Sequence, residues 1–330
     1  MKQALLSKWD HNLHDITDNQ ALRVNWTLGN TCTFKCSYCP NHLNDGSIRW
    51  LPLDRMKTIV DDLVETYTTK YGKTIFIFEL TGGEPTVYPD IEEFAVYLKS
   101  KGIYVQLCTN GSRTVRWWND FAENFQSISL SYHVEFTDVK HMVNVGNLVE
   151  SKGVSACGLV LLDPQNFDKI KNDLEYMRQH AKFDIQVRKV VDRGSKKQWI
   201  YRYTDEQLDY LDKNYVIKTN VPVVKFPKEM QNQTIWIKDG KHKNINENTL
   251  FNLPENNFYG WDCYGGIDTL SLDVWGNILT GYCETMMHTP IGNWRSDDLK
   301  TLNWPTKPTV CKNSSCVCVH DIRSRKFQHE

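Results

Sequence analysis

Three cysteines stand close together near the start of the chain, in the run Cys32-Thr-Phe-Lys-Cys36-Ser-Tyr-Cys39. This C-x3-C-x2-C spacing lets three thiolates converge on one metal centre. A tetrahedral zinc site wants a fourth ligand, for which His42 is the conceivable donor. An iron–sulfur cube held by three cysteines instead leaves one iron open to bind something else. A second run, Thr81-Gly82-Gly83-Glu84-Pro85, offers two glycines that free the backbone to approach a ligand. Its carboxylate can accept hydrogen bonds from an ammonium group. Five further thiols gather near the C-terminus, at Cys263, Cys283, Cys311, Cys316 and Cys318. The last two, Cys108 and Cys157, fall in strand-like stretches, where a cysteine ordinarily packs as a small buried hydrophobe.

The rest of the composition narrows what ten cysteines are for. The opening MKQALLSKWDHNLHD has no apolar core of a secretory signal and no cleavage site. No apolar run approaches the roughly 18 residues of a membrane span. The expected location is therefore the reducing cytoplasm, where metal ligation or catalysis is a better use of cysteine than disulfides. With 39 basic and 40 acidic residues the net charge is −1, which disfavours nucleic acid as a partner. The 40% hydrophobic and 24% charged content is that of an ordinary globular chain.

Short β-branched stretches at 22–28, 74–80, 103–108, 127–131, 154–162 and 183–191 alternate with helix-periodic ones at 53–71, 91–101, 115–124, 137–151 and 167–180. Such alternation predicts parallel strands with right-handed crossovers, and a site at the C-terminal strand ends. Periodicity alone leaves barrel and open sheet undecided. The first cysteine cluster follows strand one, and the Gly-Gly-Glu-Pro turn ends strand two. Thr109-Asn110-Gly111 ends strand three, Ser129 and Ser131 lie on strand four with His133 next, and Gln186 and Arg188 lie on strand six. Residues 1–21 read as an N-terminal extension, 22–191 as the β/α domain and 192–259 as a linker or lid. That linker carries a capped helix at 204–214 and a strand at 234–238. Residues 260–330 read as a small domain held by something besides a hydrophobic core, with a hairpin turning at Trp275-Gly276-Asn277. The tail's aromatics, Trp261, Tyr264, Trp275, Tyr282, Trp294 and Trp304, read chiefly as its packing.

Over 22–191 these motifs together resemble the radical S-adenosylmethionine (radical SAM) superfamily. The resemblance implies an α/β fold, a partial (β/α)6 TIM-like barrel. It implies that Cys32, Cys36 and Cys39 hold a [4Fe–4S] cluster whose open iron is chelated by the amino and carboxylate groups of SAM. Tyr38 occupies the aromatic position near the adenine. Gly82, Gly83 and Glu84 would receive the SAM ammonium group, and Thr109, Asn110, Ser129 and Ser131 stand where polar side chains meet its ribose or carboxylate. The tail is similar to the SPASM and Twitch auxiliary-cluster domains, with departures. The six residues between Gly276 and Cys283 exceed the usual spacing, and five cysteines are too few for the two-cluster form. One auxiliary [4Fe–4S] cluster with one spare thiol fits better, Cys311 being the weakest claimant; a structural zinc site is the other reading.

The resemblance implies reductive cleavage of SAM to a 5′-deoxyadenosyl radical, then hydrogen abstraction from a C–H bond. The expected outcome is net oxidation or crosslinking of a ribosomally made peptide, assisted by the auxiliary cluster. The alternative is oxidation, dehydrogenation or epimerisation of a small polar metabolite such as a sugar, aminocyclitol or nucleotide. The 31 residues ahead of Cys32 are too few for the peptide-recognition domain that some peptide-modifying relatives carry, which weighs against a peptide. An external one-electron reductant of the flavodoxin or ferredoxin type is implied in either case. No catalytic residue is assigned: Cys108 is the candidate for returning a hydrogen atom to a substrate radical, His133 is either a substrate contact or a structural histidine, and Arg188 is either a substrate contact or the partner of an acidic neighbour at the barrel rim. Two other classes compete: a non-catalytic iron–sulfur electron carrier, which leaves the Gly-Gly-Glu-Pro turn without a purpose, and a zinc-stabilised binding module.

Overall fold

A computed structural model describes residues 12–14, 20–190, 202–217, 234–238, 241–245, 257–283, 286, 289–316 and 318–328. Much of the expected extension and linker, at 1–11, 15–19, 192–201, 218–233 and 246–256, lies outside the described residues. In chain order the first strands are β1 (Asn12–His14), β2 (Ala21–Thr27), β3 (Ile75–Thr81), β4 (Tyr104–Thr109), β5 (Ser127–Tyr132), β6 (Ser155–Leu162) and β7 (Asp184–Lys189). Helices α1 (Leu53–Tyr71), α2 (Ile91–Ser100), α3 (Val115–Phe121), α4 (Val139–Ser151) and α5 (Phe167–His180) alternate with them from β2 onward. Then come α6 (Asp205–Asn214), β8 (Val216–Ile217), β9 (Thr234–Lys238), β10 (Lys241–Ile245) and β11 (Trp261–Cys263). The chain closes with β12 (Thr269–Leu272), β13 (Asn277–Leu279), β14 (Gly292–Asn293), β15 (Thr309–Val310), α7 (Val319–Ile322) and β16 (Lys326–Gln328).

Local chemistry accounts for the boundaries. Helix α1 buries Met56, Ile59, Val60, Leu63 and Tyr67 at helical spacing, and stops at Gly72, whose φ of +66° caps it in the left-handed region. Helix α6 opens with a capping box between Thr204 and Gln207. The helix expected to reach residue 124 ends at Phe121, and its last turn tightens into a 3₁₀ segment over Ala122–Asn124.

The described residues form two compact units. One spans Thr27–Trp50 and Leu80 onward through α6 and β8. In it β4, β5, β6 and β7 pair in parallel, and β8 closes the edge antiparallel to β7. The strands bury one face and leave the other half-exposed, as the period of two requires. Val105, Leu107, Ile128, Leu130 and Val160 are buried. Cys108, Ser129, Ser131, Cys157, Gln186 and Arg188 share the half-exposed face. Register places Cys108 beside Ser129, Ser129 beside Cys157, and Ser131 two strands from Gln186. Cys108 and Cys157 are thus not the core hydrophobes their strand positions suggest.

The other unit joins the described residues before Thr27, the stretch Leu51–Glu79 and the C-terminal part of the chain. Here β12 pairs in parallel with β2, Thr269 opposite Arg23 and Leu272 opposite Trp26. A hairpin then leads to β13, with Gly276 at φ +101° in its turn. An antiparallel sheet in the order β10-β9-β1-β16-β11-β15 completes the unit. This tail has an apolar core after all. Trp294 is fully buried and packs edge-on to Trp26 at 5.4 Å, and Trp304 does the same to Tyr67. Trp275 is the exception, exposed in its turn. Asp268, buried, binds the equally buried Lys73 at 2.8 Å and Arg325 at 2.7 Å.

Candidate metal and cofactor site

The three N-terminal cysteines lie on the loop that leaves β2, and the main chain beyond β3 holds that loop in place. Leu28 donates to the Thr81 carbonyl (2.9 Å), Gly83 to Gly29 (2.9 Å) and Glu84 to Thr31 (2.8 Å). The two backbones touch so closely that only glycine fits. A Cβ on Gly82 would stand 2.6 Å from the Gly29 oxygen, and one on Gly83 would stand 2.4 Å from the Thr31 oxygen. Gly82 also holds a φ of +143°. The glycine pair therefore seats one strand end against the cysteine loop.

Glu84 is held from several sides. It is fully buried, and its Oε1 accepts Thr86 N–H (3.0 Å), Thr86 Oγ1 (2.6 Å) and Thr109 Oγ1 (2.7 Å). Its Oε2 accepts the Asn110 N–H at 2.6 Å. The carboxylate is committed to the protein, tying the end of β4 to the end of β3. Thr109 and Asn110 are buried too. The Asn110 amide donates to Thr33 Oγ1 at 2.9 Å and reaches Cys32 Sγ at 3.8 Å. Of the polar residues expected to meet SAM, Ser129 and Ser131 are the ones left half-exposed.

Two further anchors were not visible in the motifs. Asn30 is fully buried, and its amide donates to Asp45 Oδ1 (2.7 Å), Ser47 Oγ (3.0 Å) and the His42 carbonyl (3.0 Å). It accepts from Ile48 N–H at 3.0 Å and so pins the far side of the loop. Its position one residue after Gly29 at a strand end was the available signal. Glu135 accepts from the Ser37 N–H at 2.9 Å and from the Ser37 hydroxyl. Beside it Tyr38 and Nδ1 of His133 are 2.7 Å apart, with Phe34 and Phe136 stacked at 5.3 Å.

The thiols feel one another. Burial pushes the Cys36 thiol up to about 12 against a lowering hydrogen bond from Tyr38, and the charges of Glu135, Cys32 and Cys39 add to the rise. Burial likewise raises Cys32 and Cys39. Thiols this reluctant to ionise become ligands beside a strongly cationic centre, which iron supplies. Among the described residues no three Cys, His, Asp or Glu side chains close around the position of a single ion. A cluster asks for a wider set, because each thiolate binds a different iron. The donors fit such a group.

The C-terminal thiols form their own group. Cys263, Cys283, Cys316 and Cys318 are buried, whereas Cys311 is half-buried. Burial raises Cys283 to about 11, with Asp321, Cys263 and Cys311 contributing. Burial also raises Cys316, which feels Cys263 and Cys318. None of the ten cysteines is half of a disulfide.

Residues 26–151 match the model of the radical SAM superfamily. The chain carries a radical SAM domain. SAM and a [4Fe–4S] cluster are the cofactors of that superfamily. Among curated proteins, the chain is 30% identical over 110 residues to the Fe-coproporphyrin III synthase of Methanosarcina barkeri, covering 33% of this chain and 25% of the relative. It is 29% identical over 196 residues to an S-adenosylmethionine-dependent nucleotide dehydratase of Psychrobacter lutiphocae, 55% of this chain and 59% of the relative. The chain thus spans a quarter to three-fifths of these relatives' lengths. Among solved structures, Streptococcus suis SuiB bound to its precursor peptide SuiA superposes with a TM-score of 0.53 at 14% identity, covering 86% of this chain and 64% of SuiB. That likeness shows a shared α/β fold, the partial barrel that the family resemblance implies. No helix among the described residues is long and apolar enough to cross a membrane.

Proposed function

We propose that this protein is a radical SAM enzyme that acts on a peptide, with a second iron–sulfur cluster in its C-terminal unit. The observation that carries the reading is the cysteine loop itself, three mutually interacting thiols locked to the Gly82–Glu84 strand end. With SAM bound, a [4Fe–4S] cluster there supplies one-electron cleavage to a radical that takes a hydrogen atom from substrate. Cys32, Cys36 and Cys39 would hold it. Asn30, Gly83, Glu84 and Asn110 fix the loop so that no reorganisation is needed on loading. Ser129 and Ser131 present hydroxyls on the half-exposed strand face, which also carries Cys108 and Arg188 for contact with substrate. Tyr38, beside His133, would pack against the adenine.

In the tail, the four buried cysteines Cys263, Cys283, Cys316 and Cys318 would hold the second cluster, leaving Cys311 as the spare thiol. The peptide reading draws on the fold shared with SuiB, solved with a precursor peptide. A second reading, a nucleotide-type substrate, draws on the dehydratase match, which covers more than half of this chain.

Anaerobic reconstitution followed by iron and sulfide analysis tests the cofactor content, with about eight irons per chain expected for two cubes. Incubation with SAM and dithionite should release 5′-deoxyadenosine, and replacing Cys32, Cys36 and Cys39 together by alanine should abolish it. A chain that binds zinc and no sulfide would overturn the reading. Mass spectrometry after incubation with short precursor peptides, or with nucleotides, separates the two substrate classes.

A further inference from the structure

One charged group of the C-terminal unit has no part in the chemistry above. Lys326 is 1% exposed, although a lysine is almost never fully buried without a partner. Its ammonium donates to the main-chain carbonyls of Asp321 (2.6 Å) and Ser324 (3.0 Å), and it lies over the Phe258 ring at 5.2 Å. These contacts orient the group without neutralising it. Two neutral carbonyls and a ring face do not repay the desolvation of a full charge.

The sheet register shows what the charge faces. On the antiparallel pair of β11 and β16, Lys326 stands directly opposite Cys263. Directly opposed residues project to the same face with Cβ atoms about 4.5–5.5 Å apart. Burial opposes the lysine's charge, yet Cys263, Cys316, Asp321 and Cys311 together more than offset this and raise it above its ordinary value. Three of those four groups are thiols. The fourth is the Asp321 carboxylate, whose Oδ2 also accepts the Tyr282 N–H at 2.7 Å.

We propose that Lys326 is the built-in counter-charge of the C-terminal cysteine group, a positioning residue that sets the reduction potential of the iron–sulfur cluster held there. The proposal rests on the cluster reading given above. A cube with four thiolates carries roughly two negative charges when oxidised and one more when reduced. A fixed cation in a low-dielectric interior stabilises the reduced form more than the oxidised one, because the added electron sits in its field. Removing that cation therefore lowers the potential, while the ligands stay the same.

The test uses the full chain with Cys32, Cys36 and Cys39 replaced by alanine, so that the second cluster alone reports. Its potential is read by redox titration with electron paramagnetic resonance, for Lys326, K326M and K326R. The expected result is a drop in K326M equal to at least a tenfold shift in the one-electron equilibrium, about 59 mV, with K326R close to the parent. An unchanged potential in K326M at full iron content overturns the proposal and leaves the cluster reading intact. If K326M folds by circular dichroism but takes up no cluster, uptake by K326R supports the charge role, and its failure in K326R too overturns it. No iron in the triple-alanine parent would instead overturn the cluster reading itself.

Discussion

The carboxylate of Glu84 accepts the main-chain N–H of Asn110 at 2.6 Å, binding the end of β3 to the end of β4 beneath the cysteine loop. Because its other oxygen takes three more donors, an amide cannot replace it without turning an N–H toward an N–H. Glu84→Gln should lose about 1–3 kcal/mol of stability in urea unfolding. It should also lower iron retention by the N-terminal cluster, read as iron per chain after gel filtration.

Gly83→Ala tests the contact of main chain on main chain. The added Cβ would fall 2.4 Å from the Thr31 oxygen, and a carbonyl in a hydrogen-bonded turn cannot rotate away cheaply. Overpacking of this kind costs about 1–3 kcal/mol. The expected signature is a lowered melting temperature together with slower cluster reconstitution, whereas Gly72→Ala, strained at its φ of +66° but meeting no neighbour, should lower the melting temperature and leave reconstitution untouched.

His133 gives a pH prediction. Burial lowers its pKa to about 4, with Glu135 opposing, so the folded imidazole is neutral, with its Nδ1 2.7 Å from the Tyr38 hydroxyl. The unfolded chain binds that proton near the ordinary value of about 6.5. Stability from this group is therefore complete above about pH 6.5 and is lost as the pH falls to about 4, with a slope of at most about 1.4 kcal/mol per pH unit. Urea midpoints of the wild type and His133→Asn should converge over that window. Parallel curves would sink the assignment.

Asp268 carries two cations, Lys73 and Arg325, in the interior of the C-terminal unit. Asp268→Ala removes the carboxylate that both share, and breaking a buried pair from one side costs about 3–5 kcal/mol. Thermal unfolding should show this loss, while Lys73→Met, which leaves Arg325 on the carboxylate, should cost less.

The barrel strands and helices were legible because their signals are local. Helix α1 could be bounded to the residue from its apolar stripe and the glycine that caps it. The half-exposed face of β4 to β7 was harder, since Cys108 and Cys157 follow the same alternation as residues that face inward. What the sequence hid is non-local. The Thr109 and Asn110 donors that hold Glu84 come from the next strand, and the parallel pairing of β12 with β2 joins opposite ends of the chain. The polar knot around Asn30 left no motif either, because its partners at 42–48 are ordinary loop residues.

The seating of Gly83 against Thr31 bears on transplanting this chemistry. Adding one residue between Thr31 and Cys32 would carry the first thiol up to about 3.8 Å along the chain, while the neighbouring strand end stayed fixed. A graft of 32–39 alone onto another barrel would leave behind what holds its shape. The smallest portable piece is a set drawn from three strand ends: the loop, Asn30, the Gly82–Glu84 turn and Asn110.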